Sequence, residues 1–295
     1  MFRRVWRTPY VRHVRNLSIV AEGSKASRMA AVVPATFLAA GLGSFLVSDF
    51  KAAQTQSSVK RVAIYGGAFD PPTNSHMTCA SEIVHSGCAD EVWLVPCGPR
   101  PDKPKLKTPA LDRYCMCQVA VNTVFSPEFP IRVSDIDTRR EMAAFTYDLL
   151  CSLRDEHPGV QFTFVIGSDW LQPDTNIASW QSLNFDWKPG MPEKDKFIVT
   201  GDKLLREFEF LVIPRPGFDV PRTASDPTGL KAFGPRLQWM KMPEDFHFIE
   251  GNLSSTEIRT RTRVESCKGG NLQAIEGLIP PGVLSFIRRR ELYYK

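Results

Sequence analysis

Arg61-Val-Ala-Ile-Tyr-Gly-Gly-Ala-Phe-Asp-Pro-Pro-Thr-Asn-Ser-His76 joins an apolar, β-branched run to two glycines, a proline turn and the first residues of an amphipathic segment. That order reads as a buried strand, a loop whose backbone can approach a ligand closely, and a helix whose first N–H groups are free for an anion. Phosphate is the natural guest. His76 falls in the first turn of that helix and Thr73 lies one turn earlier, so imidazole and hydroxyl are expected to converge on one phosphate. The imidazole would act there as a cation or a donor where charge builds up. A glycine-rich strand-to-helix turn capped by Thr73 or Asn74 accounts for the same residues without any ligand.

Outward from this stretch the pattern alternates. Runs rich in β-branched and aromatic residues at Val62–Tyr65, Val92–Val95, Ile131–Val133, Phe162–Ile166, Phe208–Ile213 and Phe246–Ile249 predict strands. Helical spacing at Ser75–Ser86, Ala110–Val124 and Ala144–Asp155 separates several of them. The expectation is an α/β fold: a doubly wound, Rossmann-like parallel sheet covered on both faces, with a helical region at the C-terminal end. Ligands in such a sheet collect beyond the carboxyl ends of the strands. Gln181–Lys196 and Pro214–Pro235, rich in Pro, Gly and charge, read as surface excursions.

The net charge of +5 is unevenly spread: nine basic against two acidic residues through Lys60, then 28 against 30. The body therefore offers no broad cationic surface for a polyphosphate backbone, and nucleic acid is not an expected partner. Seven cysteines without a CxxC pair read as reduced thiols, and no zinc site is expected.

Residues 1–59 read as a basic targeting leader before a body spanning 60–295. Arg3, Arg4, Arg7, Arg12 and Arg15 appear without an acid, and Phe2, Trp6, Tyr10, Val14 and Leu17 share one side of a helical wheel, which resembles a mitochondrial presequence. Met29 to Ser48 carries no charge and is about long enough to span a bilayer, with a linker or a longer presequence as the alternative. If it spans, the body is tethered to the inner membrane. A start at Met29 would instead give a soluble cytosolic or nuclear protein.

Near the other end, Leu253-Ser-Ser-Thr-Glu-Ile-Arg259 has the composition of a helix N-terminus, with hydroxyl donors and a cation one turn inside. Gly66 to His76 resembles the G-x-F-[DN]-P-x-[HT]-x-x-H motif of the nucleotidyltransferase superfamily, with Thr73 at the position where many members carry a first histidine. Leu253 to Arg259 resembles its I-S-S-T-x-[IV]-R motif. The resemblance implies that Gly66, Gly67, Ala68, Phe69, Thr73 and His76 contact ATP together with Gly167, Asp169 and Ser254. It also implies that Ser255 and Thr256 hold the β- and γ-phosphates with Arg259.

The segments between resemble the nicotinamide and nicotinate mononucleotide adenylyltransferases. Pro101-Asp-Lys103 stands where that family has P-H-K, followed by residues matching Arg113 and Met116; Lys103 is then a phosphate ligand, with Lys105 and Lys107 as competitors. Asp137-Thr-Arg-Arg140 and Ala144 to Leu150 look like E-x-x-R with S-Y-T-x-D-T-L, placing Arg140, Phe145 and Thr146 at the mononucleotide, although Ala144 replaces the serine. Phe164 to Leu171 and Trp180 resemble G-x-D-x-L followed by W, so Trp170 or Trp180 packs near the mononucleotide. Arg215, in a strand ending R-P-G, holds substrate phosphate or closes its loop.

The implied reaction is adenylyl transfer from ATP to nicotinamide or nicotinate mononucleotide, with Mg²⁺ accompanying ATP and with His76, Lys103 and Arg259 carrying the transfer. Pantetheine-phosphate adenylyltransferase shares both strong motifs and is the alternative enzyme; a non-catalytic nucleotide-binding protein of the same fold is the other. The residues leave open the choice between amide and acid and the oligomeric state, a homo-oligomer included.

Overall fold

A computed structural model describes residues 59–100, 103–263 and 272–293. The leader, the segment 29–48 and Pro101-Asp102 lie outside the described residues. Among the described residues no helix is long and apolar enough to cross a membrane.

The chain alternates β1 (Lys60–Gly67), α1 (Asn74–His85), β2 (Glu91–Pro96), α2 (Ala110–Val124), β3 (Ile131–Val133), α3 (Thr146–Glu156) and β4 (Val160–Gly167). A hairpin of β5 (Gln181–Leu183) and β6 (Phe197–Val199) follows, then α4 (Gly201–Glu207), β7 (Glu209–Ile213), β8 (Leu237–Trp239), α5 (Ser255–Thr262) and α6 (Pro281–Arg290). Six strands form one sheet in the order β3-β2-β1-β4-β7-β8, parallel throughout. The order reverses at β1, which pairs with β2 on one side and β4 on the other, and this is where a crevice opens in such a sheet.

Alternation along each strand feeds two cores, because successive side chains point to opposite faces. Val62, Ile64, Phe162, Phe164, Phe210 and Val212 pack with Leu149, Leu150 and Leu153 of α3 and Leu204 of α4. Ala63, Leu94, Val165 and Leu211 pack with Met77 and Ile83 of α1, Met116 of α2, Ile258 of α5 and Ile287 of α6. With both faces covered, the central strands read as unbroken apolar runs, which made them legible.

Phe246–Ile249 is not a strand. Phe246 and Ile249 are exposed, and the Ile249 N–H donates to the carboxylate of Glu82 on α1 instead of entering a ladder. The sixth strand is Leu237–Trp239, whose three residues pair with Phe210 to Val212. Gln181–Lys196, expected as a surface excursion, contributes β5 and runs up to β6, so part of it is built into a wall of the site described below.

The last helix is seated on α2. Gly282 allows the close approach: a Cβ there would lie 2.5 Å from Cγ1 of Val119 and 3.1 Å from Cγ2 of Thr123, and a β-branched valine has little rotamer freedom to yield. Arg290 pairs with Asp112 of α2 at 3.2 Å. Gly282→Ala is expected to destabilise the protein by about 1–3 kcal/mol, the usual cost of overpacking, seen as a melting temperature lowered by several degrees; an unchanged midpoint would show that the helices can part without cost.

Candidate active site

At the end of β1 the backbone turns through Gly66 and Gly67 into a loop that places Phe69 in the left-handed region (φ 48°). A Cβ on Gly67 would meet the Phe69 ring at 3.2 Å, so the second glycine keeps that ring against the strand. Phe69 stands edge-on to His76, centroid to centroid 5.1 Å.

Thr73 and His76 form a reciprocal cap on α1. The His76 N–H donates to Thr73 Oγ1 at 3.3 Å, and the Thr73 N–H donates to His76 Nδ1 at 3.0 Å. A backbone N–H can only donate, so Nδ1 is the acceptor and the neutral ring carries its proton on Nε2. Burial first, and the Arg215 charge second, lower the His76 pKa to about 4. The imidazole is therefore a neutral donor rather than a cation, and Thr73 fixes which nitrogen donates. This corrects the expectation for Thr73: its side chain is fully buried, with the hydroxyl 2.7 Å from Nδ1 and 3.4 Å from the Leu253 carbonyl. It orients the imidazole and does not converge with it on a ligand.

The second motif closes directly on the first. Ser254 caps α5, its Oγ accepting from the Glu257 N–H. The Ser255 hydroxyl donates to the Pro71 carbonyl at 2.8 Å, Arg259 Nη1 donates to the Asp70 carbonyl at 2.5 Å, and the Leu253 N–H donates to Ser75 Oγ at 3.2 Å. Thr256 accepts from Arg259 Nη2 and lines neither cavity described below. The Ser255 hydroxyl proton is thus taken by the Pro71 carbonyl, while the Thr256 hydroxyl, as an acceptor from Arg259, keeps its own proton. What this end offers an anion is the N–H groups of Ser255 and Thr256, since that of Glu257 is taken by the cap; Arg259 borders neither cavity and is held by the Asp70 carbonyl and the Thr256 hydroxyl.

Two cavities meet over the glycines. One, of about 260 Å³, is lined by His76, Phe69, Gly167, Asp169, Arg215, Ser254 and Ser255. The other, of about 750 Å³, is lined by Ala68, Lys103, Phe145, Thr146 and Trp180. Gly66, Gly67, Val165, Ile166 and Trp170 border both. Of the three neighbouring lysines, all described, Lys103 alone lines either of these two cavities. Trp170 and Trp180 meet edge-to-face at 4.9 Å, so both tryptophans serve the larger cavity. Phe145 immediately precedes α3 and Thr146 begins it, and both line the larger cavity, so that helix N-terminus borders the same space.

Two arginines stand apart from the larger cavity. Arg215 borders the smaller one and pairs with Asp169 at 2.9 Å. Gly167 makes room for that pair, since a Cβ there would fall 2.2 Å from Asp169 Oδ1 and 2.6 Å from Arg215 Cδ. Arg140 lines neither cavity; it donates to Ser152 Oγ at 2.9 Å and stands 3.7 Å from Asp137, behind the wall.

Asp137 and Arg113 matter more than their motifs suggested. Asp137 is buried and accepts from the Gly98 N–H at 2.8 Å and the Ala144 N–H at 2.7 Å, tying the end of β2 to the entrance of α3. Arg113 is buried too, and its guanidinium donates to the carbonyls of Ala68 at 2.7 Å, Cys97 at 2.6 Å and Gly98 at 3.1 Å. A buried arginine surrounded by carbonyls holds loops and leaves a positive field next to the cavity. The sequence signal was the Arg at its family spacing, without a role attached. Lys196 and Phe197, at the start of the second hairpin strand, also line the larger cavity, as does Arg100.

Because His76 has a lowered pKa in the folded state, its contribution to stability is present above about pH 6.5 and is lost as pH falls through about 4. Thermal melts of wild type and His76→Gln between pH 7 and 4.5 should converge as the pH drops, because glutamine can accept the Thr73 N–H without titrating. A gap independent of pH would contradict a neutral buried imidazole.

Residues 64–261 match the cytidylyltransferase-like family. The nicotinate-nucleotide adenylyltransferase of Bacillus subtilis is 28% identical over 80% of this chain and 99% of its own length. A probable nicotinate-nucleotide adenylyltransferase of Mycolicibacterium vanbaalenii is 30% identical, over 79% of this chain and 92% of its own. Among solved structures, the Plasmodium falciparum nicotinic acid mononucleotide adenylyltransferase complexed with NaAD superposes with a TM-score of 0.56 at 27% identity, covering 80% of this chain and 98% of that one. With the two motifs joined in space and the parallel sheet beneath them, the chain belongs to the cytidylyltransferase-like family and, within it, to the nicotinate-nucleotide adenylyltransferases.

Proposed function

We propose that this protein transfers the adenylyl group of ATP to the 5′-phosphate of nicotinate mononucleotide, releasing pyrophosphate and forming the dinucleotide. The observation that carries the reading is the junction of two unequal cavities over Gly66 and Gly67, with His76 on the smaller side and the α3 N-terminus and paired tryptophans on the larger. A phosphate oxygen of the acceptor attacks the α-phosphorus, and the bond to the bridging oxygen breaks toward pyrophosphate. No protein nucleophile is needed, because both partners arrive activated; alignment and stabilisation of charge suffice.

His76 Nε2–H donates to the charge that builds on the α-phosphate and bridging oxygen. Lys103 faces the acceptor's phosphate, and Arg215, Arg259 and the first turn of α5 face the triphosphate. Mg²⁺ brought with ATP would supply charge neutralisation for the departing pyrophosphate; among the described residues no group of three His, Cys, Asp or Glu is arranged to hold a metal ion. The acid is favoured over the amide by the relatives' activity and by a larger cavity lined by Arg100, Lys103 and Lys196, where the one carboxylate, Asp137, is already engaged by two N–H groups.

Purified protein supplied with ATP and, in turn, nicotinate mononucleotide, nicotinamide mononucleotide and pantetheine 4′-phosphate should release pyrophosphate fastest with the first. Faster turnover of the third would reassign the acceptor, and none with any would leave a binding protein. His76→Ala should lower kcat by about 10²–10³, as for other lost donors to a developing oxyanion, while the protein still unfolds cooperatively at a lower midpoint, since the Thr73 N–H loses its acceptor; near-normal turnover would remove His76 from the chemistry.

A further inference from the structure

After α6 the chain takes a conformation that side chains disfavour. Glu291 (φ 51°) and Tyr293 (φ 67°) both lie in the left-handed region, where a Cβ crowds the backbone. Glu291 has an ordinary reason, since it caps α6 and its N–H bonds the Ile287 carbonyl. For Tyr293, a bulky residue one position past the next, no helix cap accounts for the geometry, and an outlier of this kind invites a search for what holds it.

What holds it is the first loop. The Tyr293 phenol donates to Asp70 Oδ1 at 2.5 Å, across 223 residues of sequence. Asp70 is 1% exposed, so its carboxylate depends on protein partners. The backbone carbonyl of the same residue receives Arg259 Nη1, and that guanidinium also stands 3.9 Å from Asp70 Oδ2. Burial, with the neighbouring carboxylate, raises the Tyr293 pKa far above the phenol's usual value, so the hydroxyl stays a donor.

The three groups compete. A buried carboxylate with one oxygen unsatisfied attracts the nearest cation strongly. Without the phenol, Arg259 would swing from the Asp70 carbonyl onto the carboxylate and turn away from the first turn of α5. We infer that Tyr293 is a positioning residue: by satisfying Asp70 it keeps the Arg259 guanidinium on the carbonyl and facing the triphosphate. This rests on the reading that ATP occupies the cavity bordered by Ser254 and Ser255.

The test reads nucleotide affinity rather than turnover, so that failure of the proposed reaction, visible in the acceptor assay, leaves it standing. Calorimetric titration with a non-hydrolysable ATP analogue is made on wild type, Tyr293→Phe, Arg259→Ala and the double variant, with melting curves for each. Tyr293→Phe keeps the ring and should weaken binding about tenfold, the scale of one hydrogen bond to a charged group, while nicotinate mononucleotide affinity stays within twofold. In the Arg259→Ala background the same substitution should change nothing further. Additive losses, unchanged analogue affinity, or equal weakening for both ligands would each overturn the inference. Should Tyr293→Phe fold poorly, it is made in the Asp70→Asn background, where the competing charge is gone: there it should leave analogue affinity as it is in Asp70→Asn alone, and a further tenfold loss would overturn the inference.

Discussion

The carbonyl oxygens of Asp70 and Pro71 accept hydrogen bonds from Arg259 and Ser255, and this pair of contacts joins the two ends of the body into one site. Everything about the smaller cavity follows from it. The α5 N-terminus is delivered to the mouth of β1, and the first turn of α1, which carries Ser75, is braced by Leu253. Gly251 is needed because a Cβ there would lie 2.7 Å from Ser75 Oγ. Backbone carbonyls are apt partners for such a joint: they hold an arginine without neutralising it, so the cation keeps its field for an anion.

The same device recurs on the other side of the glycines. Arg113 sits among the carbonyls of Ala68, Cys97 and Gly98, and Asp137 takes the N–H groups of Gly98 and Ala144. Charged side chains are thus spent on loops, fixing the rim of the cavity to the rigid sheet. His76 follows an opposite rule. It is kept neutral by burial and by the nearby Arg215 charge, and its acceptor nitrogen is occupied by Thr73. A neutral donor of fixed tautomer suits a position where charge develops on phosphate oxygens, since it needs no reorganisation as the reaction proceeds.

Much of the fold was legible because β1, β2, β4 and β7 are buried on both faces, and such strands announce themselves as runs like Val62–Tyr65 or Phe210–Ile213. Leu237–Trp239 was illegible: it is three residues long, holds a glutamine, and follows a stretch rich in proline and glycine. Phe246–Ile249 misled for the converse reason, being apolar in composition while Phe246 and Ile249 lie exposed beside α1. In the site, the spacing of Thr73 and His76 disclosed a cap and an imidazole in the first turn of a helix, but not which atom of each would be consumed by the other.

The sequence alone determined the alternating α/β architecture, the two phosphate-type motifs and the pyridine-mononucleotide resemblance, because local periodicity and short fixed spacings are properties of neighbours along the chain. Tertiary structure alone decided the placements: Thr73 and the Ser255 hydroxyl turn inward, Arg215 borders the smaller cavity, Arg140 stands behind the wall, and Asp137, Arg113 and Tyr293 become the braces. Those assignments depend on hydrogen bonds between residues up to 223 positions apart, and a donor's partner at that distance is set by how the layers pack.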